Sequence, residues 1–235
     1  MRNLCCLTFL IISLACQRPE YPMPAPSGGS GVGGVSKPRT WLALGDSYTI
    51  GQGVRDQDRF PDQTRERLLK SQRTIDTLRY IAMTGWTTLD LLQAIGREQP
   101  AEHTVVSLLI GVNDQYRGWD SALYRVRFRD ALQQAVRLAG GKPSHVMVLS
   151  IPDYGVTAYA RHLDTARIRR EIDGYNRINR DIATTAGCPY LDITPLTREG
   201  RWNANLICGD SLHPSGIDYG RWADRLAPMM EGLLQ

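Results

Sequence analysis

The chain has 235 residues and a formal net charge of +4, and its Lys and Arg residues are spread along the sequence without a basic run. That distribution lacks the electrostatic footprint of a nucleic-acid-binding protein. With the N-terminal 39 residues set aside, residues 40–235 have the length of one compact domain.

In chain order, residues 1–15 come first. Arg2 gives a positive start, an apolar core extends from Leu4 to Leu14, and Ser13-Leu14-Ala15-Cys16 closes it. This is the pattern of a secretory signal, too short to span a membrane. Cys16, directly after a small residue, resembles the lipidated cysteine of the bacterial lipobox, although Ser13 stands where such boxes prefer Leu. Residues 16–39 follow, with Pro19, Pro22, Pro24, Pro26 and Pro38 among glycines and little apolar material. They cannot bury a core and read as a tether that holds a domain on the order of 25–30 Å from its anchor. The tether favours lipidation at Cys16, hence an exported protein attached to a membrane and facing the periplasm or cell exterior. Ordinary cleavage and secretion is the alternative. Gly29-Ser30-Gly31-Val32-Gly33-Gly34 satisfies a dinucleotide fingerprint, but no strand precedes it and no amphipathic helix follows, so it reads as linker.

From residue 40 onward, apolar runs of strand length alternate with helical patterns. The predicted strands are 41–44, 78–83, 104–110, 145–151 and 189–193, aliphatic and mostly without period-two alternation, as parallel strands covered on both faces should be. The predicted helices are 62–73, 87–98, 121–139, 164–186 and 215–234. A core stripe is expected at Leu123, Val126, Ala131, Ala135 and Leu138 in the third, and at Ile168, Ile172, Tyr175, Asn179 and Ile182 in the fourth. Gly140-Gly141 and Gly187 are C-terminal stops, and Ser215 starts the last helix. Alternating β and α units imply right-handed crossovers and a doubly wound parallel sheet, with ligands at the carboxyl ends of the strands.

Three of those strand ends carry unusual residues. Gly45-Asp46-Ser47-Tyr48 follows the first strand and presents a serine on a Gly-started turn. Near the C-terminus, Asp210 precedes His213 by three residues, and Pro214 follows. A serine hydroxyl becomes a useful nucleophile when a base takes its proton and a third group orients that base. Ser47, His213 and Asp210 are the residue types for those tasks. After the second strand comes Thr84-Gly85-Trp86-Thr87-Thr88, and after the third Gly111-Val112-Asn113-Asp114. Acyl transfer builds negative charge on the former carbonyl oxygen, and the N–H groups of Ser47 and Gly85 with the side-chain amide of Asn113 supply candidate donors. Trp86, Gln115, Tyr116 and Trp119 lie beside these positions and form a candidate substrate rim.

Taken singly, each piece reads as ordinary structure: Gly45 and Gly111 as turn glycines, Asp46 as a cap without chemical role, Asp114 as a supporting loop carboxylate. His103, His145 and His162 are isolated, and no His, Cys or carboxylate spacing suggests a metal site. No cofactor is expected. Cys188 and Cys208 form an even pair that reads equally as a disulfide or as two thiols.

In conjunction, Gly-Asp-Ser, the lone Gly85, Gly-x-Asn-Asp and Asp-x-x-His-Pro, in this order, resemble the SGNH hydrolases, the GDSL-type esterases and lipases. The likeness covers residues 40–235. It implies a flavodoxin-like three-layer α/β/α sandwich around a five-stranded parallel sheet. It further implies Ser47 as nucleophile, His213 as general base and then acid, Asp210 orienting the imidazole, and an oxyanion hole of Ser47, Gly85 and Asn113. Tyr48 replaces the Leu of the family's nickname. The expected function is a serine esterase acting on small acyl esters such as acetylated carbohydrate, since no helical lid or long apolar insertion is apparent. A lysophospholipase or thioesterase is the enzyme alternative. A non-catalytic glycan-binding module on the same fold is the alternative from another class.

Overall fold

Trp41, Leu42, Ala43 and Leu44 are all completely buried, as a strand covered by helices on both faces must be. The computed structural model describes residues 37–234. The apolar leader, Cys16 and nearly all of the Pro/Gly-rich segment lie outside the described residues. Five parallel strands form one sheet: β1 (Thr40–Gly45), β2 (Thr77–Ala82), β3 (Val105–Leu109), β4 (Val146–Leu149) and β5 (Tyr190–Leu191), in the spatial order β2-β1-β3-β4-β5. The central strands β3 and β4 are buried throughout, whereas the edge strand β2 is mostly half-exposed.

The helices are α1 (Ser47–Ile50), α2 (Phe60–Lys70), α3 (Thr88–Glu98), α4 (Val112–Tyr116), α5 (Ser121–Leu138), α6 (Thr165–Thr185), α7 (Thr194–Arg198) and α8 (Gly216–Glu231). The chain steps from β1 to β2 in one direction and then returns past β1 to β3, β4 and β5. Right-handed crossovers therefore put α2 on one face and the later crossover helices on the other. The packing agrees: α2 lies against α8, while α3, α5 and α6 pack in series. Helix ends follow the local chemistry. Thr87 and Asp90 form a reciprocal capping box at the start of α3, and the Ser215 hydroxyl accepts from the Asp218 amide at the start of α8. Pro228 interrupts the α8 ladder on an exposed face, where water can satisfy the carbonyl it leaves free.

One expectation needs correction and one open alternative is resolved. In α5, Leu123 and Val126 are exposed, and the buried stripe is Tyr124, Phe128, Ala131, Leu132, Ala135 and Leu138. Tyr124 and Phe128 continue the three-and-four spacing of Ala131, Ala135 and Leu138, and they displace the smaller residues from the inward face. Cys188 and Cys208 are both free thiols. Cys188 precedes β5 at one end of the sheet, while Cys208 sits beside Asp210 at the other.

Candidate active site

Strand β1 ends at Gly45, where the backbone turns sharply into α1. A Cβ at Gly45 would lie 2.0 Å from Thr49 Oγ1 and 2.4 Å from the Leu109 carbonyl, so only glycine lets α1 fold back this tightly. Asp46 caps the turn: its Oδ1 accepts from the Tyr48 amide at 3.0 Å. It is completely buried, and burial pushes its carboxyl up to about 8 against the pull of that amide, with repulsion from Asp114 adding to the rise. Ser47 is the first residue of α1, so its N–H has no partner within the helix. The turn thus presents a hydroxyl and an amide at the carboxyl edge of the sheet.

The loop before α8 brings the base. His213 is nearly buried, and its Nε2 lies 3.0 Å from Ser47 Oγ across 166 residues of chain. Its Nδ1 lies 2.6 Å from Asp210 Oδ2. The other carboxylate oxygen, Oδ1, accepts from the amides of Leu212 and His213, both at 2.9 Å, and from the Cys208 thiol at 3.0 Å. Burial opposes ionisation of Asp210, but these donors and the imidazole outweigh it and hold the carboxyl well below the usual range. Burial and the adjacent carboxylate raise the Cys208 thiol, which keeps its proton and remains a donor. Ser211 adopts a left-handed φ of 65° within this turn. An isolated antiparallel bridge between Ile207 and Pro214 closes the turn. The ring of Tyr48 packs 5.2 Å from the imidazole.

The strand ends flanking β1 add the remaining groups. Gly85, after β2, has φ +81°, open space where a Cβ would project, and a carbonyl that accepts from Arg117 at 2.8 Å. Asn113, in α4 after β3, donates from Nδ2 to the Trp86 carbonyl at 2.9 Å. That bond uses one amide hydrogen and leaves the second available. Asp114 is completely buried and accepts from the Thr88 amide at 2.9 Å and its hydroxyl at 2.6 Å, tying α4 to the start of α3. Burial raises the Asp114 carboxyl, and the Thr88 bonds pull against that rise. Ser47, Asn113 and His213 line one cavity of about 100 Å³ together with Tyr48, Val112, Tyr116, Tyr154, Tyr159 and Leu212. A larger groove of about 480 Å³ lies between α5 and α6, away from Ser47.

The sequence profile of the GDSL-like lipase/acylhydrolase family matches residues 43–217, from the middle of β1 into α8. The chain belongs to this family. Its members are serine ester hydrolases, and so is this protein. No curated protein matches the sequence significantly. Solved structures share the fold. A lipase/acylhydrolase from Enterococcus faecalis is 21% identical with a TM-score of 0.61, covering 84% of this chain and 97% of that one. The lipase Lip_vut3 from a goat rumen metagenome is 19% identical with a TM-score of 0.67, covering 84% and 100%. The acetyl xylan esterase AlAXEase is 19% identical with a TM-score of 0.61, covering 80% and 97%.

Within this GDSL-like hydrolase, Ser47, Asp210 and His213 meet in one hydrogen-bonded chain, and Asn113 shares the cavity with them. Of the expected rim residues, Tyr116 lines that cavity; the side chains of Trp86, Gln115 and Trp119 do not. Trp86 packs against the core and serves Asn113 through its carbonyl. Gln115 is buried and donates to Glu171 at 2.7 Å. Trp119 stacks under the Arg127 guanidinium, 4.5 Å from the ring centroid. Sequence reasoning missed Tyr154 and Tyr159, which come from two short 3-10 helices in the segment after β4, Tyr154–Val156 and Ala158–His162. Their signal was positional: that segment leaves the same carboxyl edge as Ser47.

Proposed function

We propose that Ser47 is the nucleophile of a two-step ester hydrolysis, and the hydrogen-bonded chain Ser47–His213–Asp210 carries this reading. His213 Nε2 takes the hydroxyl proton as Ser47 Oγ bonds to the ester carbonyl carbon, and the Asp210 carboxylate stabilises the imidazolium. The oxyanion is held by the amides of Ser47 and Gly85 and by Asn113 Nδ2. As the carbon–oxygen bond to the alcohol breaks, His213 returns the proton to the leaving oxygen. Water then repeats the sequence on the acyl-enzyme and frees the acid.

Small acyl esters, acetylated carbohydrate first among them, fit this site best. A cavity of about 100 Å³ suits a short acyl group. The acetyl xylan esterase of the same fold is consistent with that choice. The experiment is hydrolysis of p-nitrophenyl acetate by the protein beside its Ser47→Ala variant. Loss of at least about a thousandfold in kcat is expected; an active Ser47→Ala variant would overturn the serine mechanism.

The N-terminal segment supports a further proposal, that the protein is exported and anchored through a lipidated Cys16. In cells, the full chain is expected in the membrane fraction and the Cys16→Ala variant in the soluble one. Identical fractionation of the two would overturn the anchor.

A further inference from the structure

Two half-exposed tyrosines, one of them the expected rim residue Tyr116, line the cavity beside Ser47. Tyr116 comes from α4 and Tyr159 from the segment between β4 and α6, and their hydroxyls are 2.7 Å apart. Their rings lie 6.4 Å from each other, and the buried Tyr154 meets Tyr116 edge-on at 5.9 Å. Both hydroxyl-bearing rings are about half exposed, at 53% for Tyr116 and 44% for Tyr159, so the bond between them is reached by solvent and can open.

The base of the segment is firmly held. Arg198 donates to the buried Asp153 at 2.8 Å and to Asp173 of α6 at 2.7 Å. The Tyr159 amide donates to the Ser211 carbonyl at 3.0 Å. That contact joins the segment to the turn carrying His213. Tyr159 is therefore fixed at its backbone and restrained at its tip by a single hydrogen bond.

The cavity volume decides what enters. About 100 Å³ is less than the roughly 150 Å³ in which an engineered apolar cavity holds benzene. A short acyl group fills a space of that size.

Resting on the serine-hydrolase reading above, we propose that the Tyr116–Tyr159 hydroxyl pair is a clasp over the acyl cavity and sets the hydrolase's acyl-length limit. Acetyl to butyryl groups fit beneath it, and longer chains must break it. The test compares kcat/KM for p-nitrophenyl acetate, butyrate and octanoate in the wild type, Tyr159→Phe and Tyr159→Ala. The wild type favours the short esters. Tyr159→Ala raises the octanoate-to-acetate ratio about tenfold or more. Tyr159→Phe keeps the ring, removes the hydroxyl, and falls between the two. Because Tyr159→Phe retains the aromatic packing, it reports on the hydrogen bond even if the alanine variant folds poorly.

A wild type that hydrolyses octanoate as readily as acetate overturns the clasp, and so does an unchanged ratio in either folded variant. A shift in alcohol preference at constant acyl preference places the leaving group in the cavity and overturns it too. Ser47→Ala is measured alongside: if it stays active, the serine reading itself fails, whatever the ratios show.

Discussion

Asn113 is the residue whose assigned part rests on the fewest groups. One amide hydrogen is committed to the Trp86 carbonyl, which fixes the plane of the amide and leaves the other hydrogen for the proposed oxyanion. Asn113→Ala is expected to lower kcat by roughly 10²–10³ with little change in KM, since the lost bond strengthens only in the transition state. Steady-state kinetics on p-nitrophenyl acetate checks this, and a wild-type kcat would remove Asn113 from the oxyanion hole. The residue types of the site were legible in the sequence because Ser47 and Asn113 sit in short motifs at strand ends, and Asp210 and His213 in one just before α8. Cys208, a third donor to one Asp210 oxygen, was not. A thiol two residues before a carboxylate has no local signature, and only the folded turn aims it.

At the scale of elements, α1 is four residues long and gives no periodicity to read. It exists because Gly45 permits the close turn and Asp46 caps it. The Asp46 carboxyl, pushed up to about 8 in the fold against an ordinary value of 3.8, keeps its proton where the unfolded chain has released it. Between about pH 4 and 8 the native state thus binds more protons than the unfolded one, so this contribution to stability declines as the pH rises. The slope is up to about 1.4 kcal/mol per pH unit. Asp46→Asn retains the capping oxygen and cannot ionise. Its urea-unfolding free energy should gain on the wild type from pH 5 to pH 8, and parallel profiles would contradict a protonated Asp46. Legibility here depended on length. The long helices α3, α5 and α6 announced themselves, whereas α4 and α7 are five residues each and depend on tertiary contacts such as that of Asp114 with Thr88. Even in α5 the pattern showed a helix and misassigned part of its inward face, because apolar residues occupy two adjacent stripes.

For the whole molecule, the order β2-β1-β3-β4-β5 places Ser47 beside the point where the chain reverses its direction of travel across the sheet, where an open α/β sheet leaves a crevice. The doubly wound parallel sheet followed from alternating runs and the handedness of crossovers, while the flavodoxin-like arrangement of its strands came only with the family resemblance. The tyrosine wall followed from neither. Tyr154 and Tyr159 belong to 3-10 helices too short to show a repeat, and their placement depends on Arg198 and the Ser211 carbonyl, which are distant in sequence and meet them only in the fold. The fold was written in periodicity and the proposed nucleophile and base in motifs, while the shape of the cavity was written in neither.

The hydrogen bond between Ser47 and His213 spans 166 positions, joining the end of the first strand to the loop before the last helix. A ribosome therefore finishes the first half of the site long before it begins the second. A nascent or clipped chain that has built β1 through β5 still holds an inert hydroxyl, because the imidazole arrives only as α8 settles against α2. On the proposed serine mechanism, ester hydrolysis is thus a property of the finished domain and not of its half-made copies.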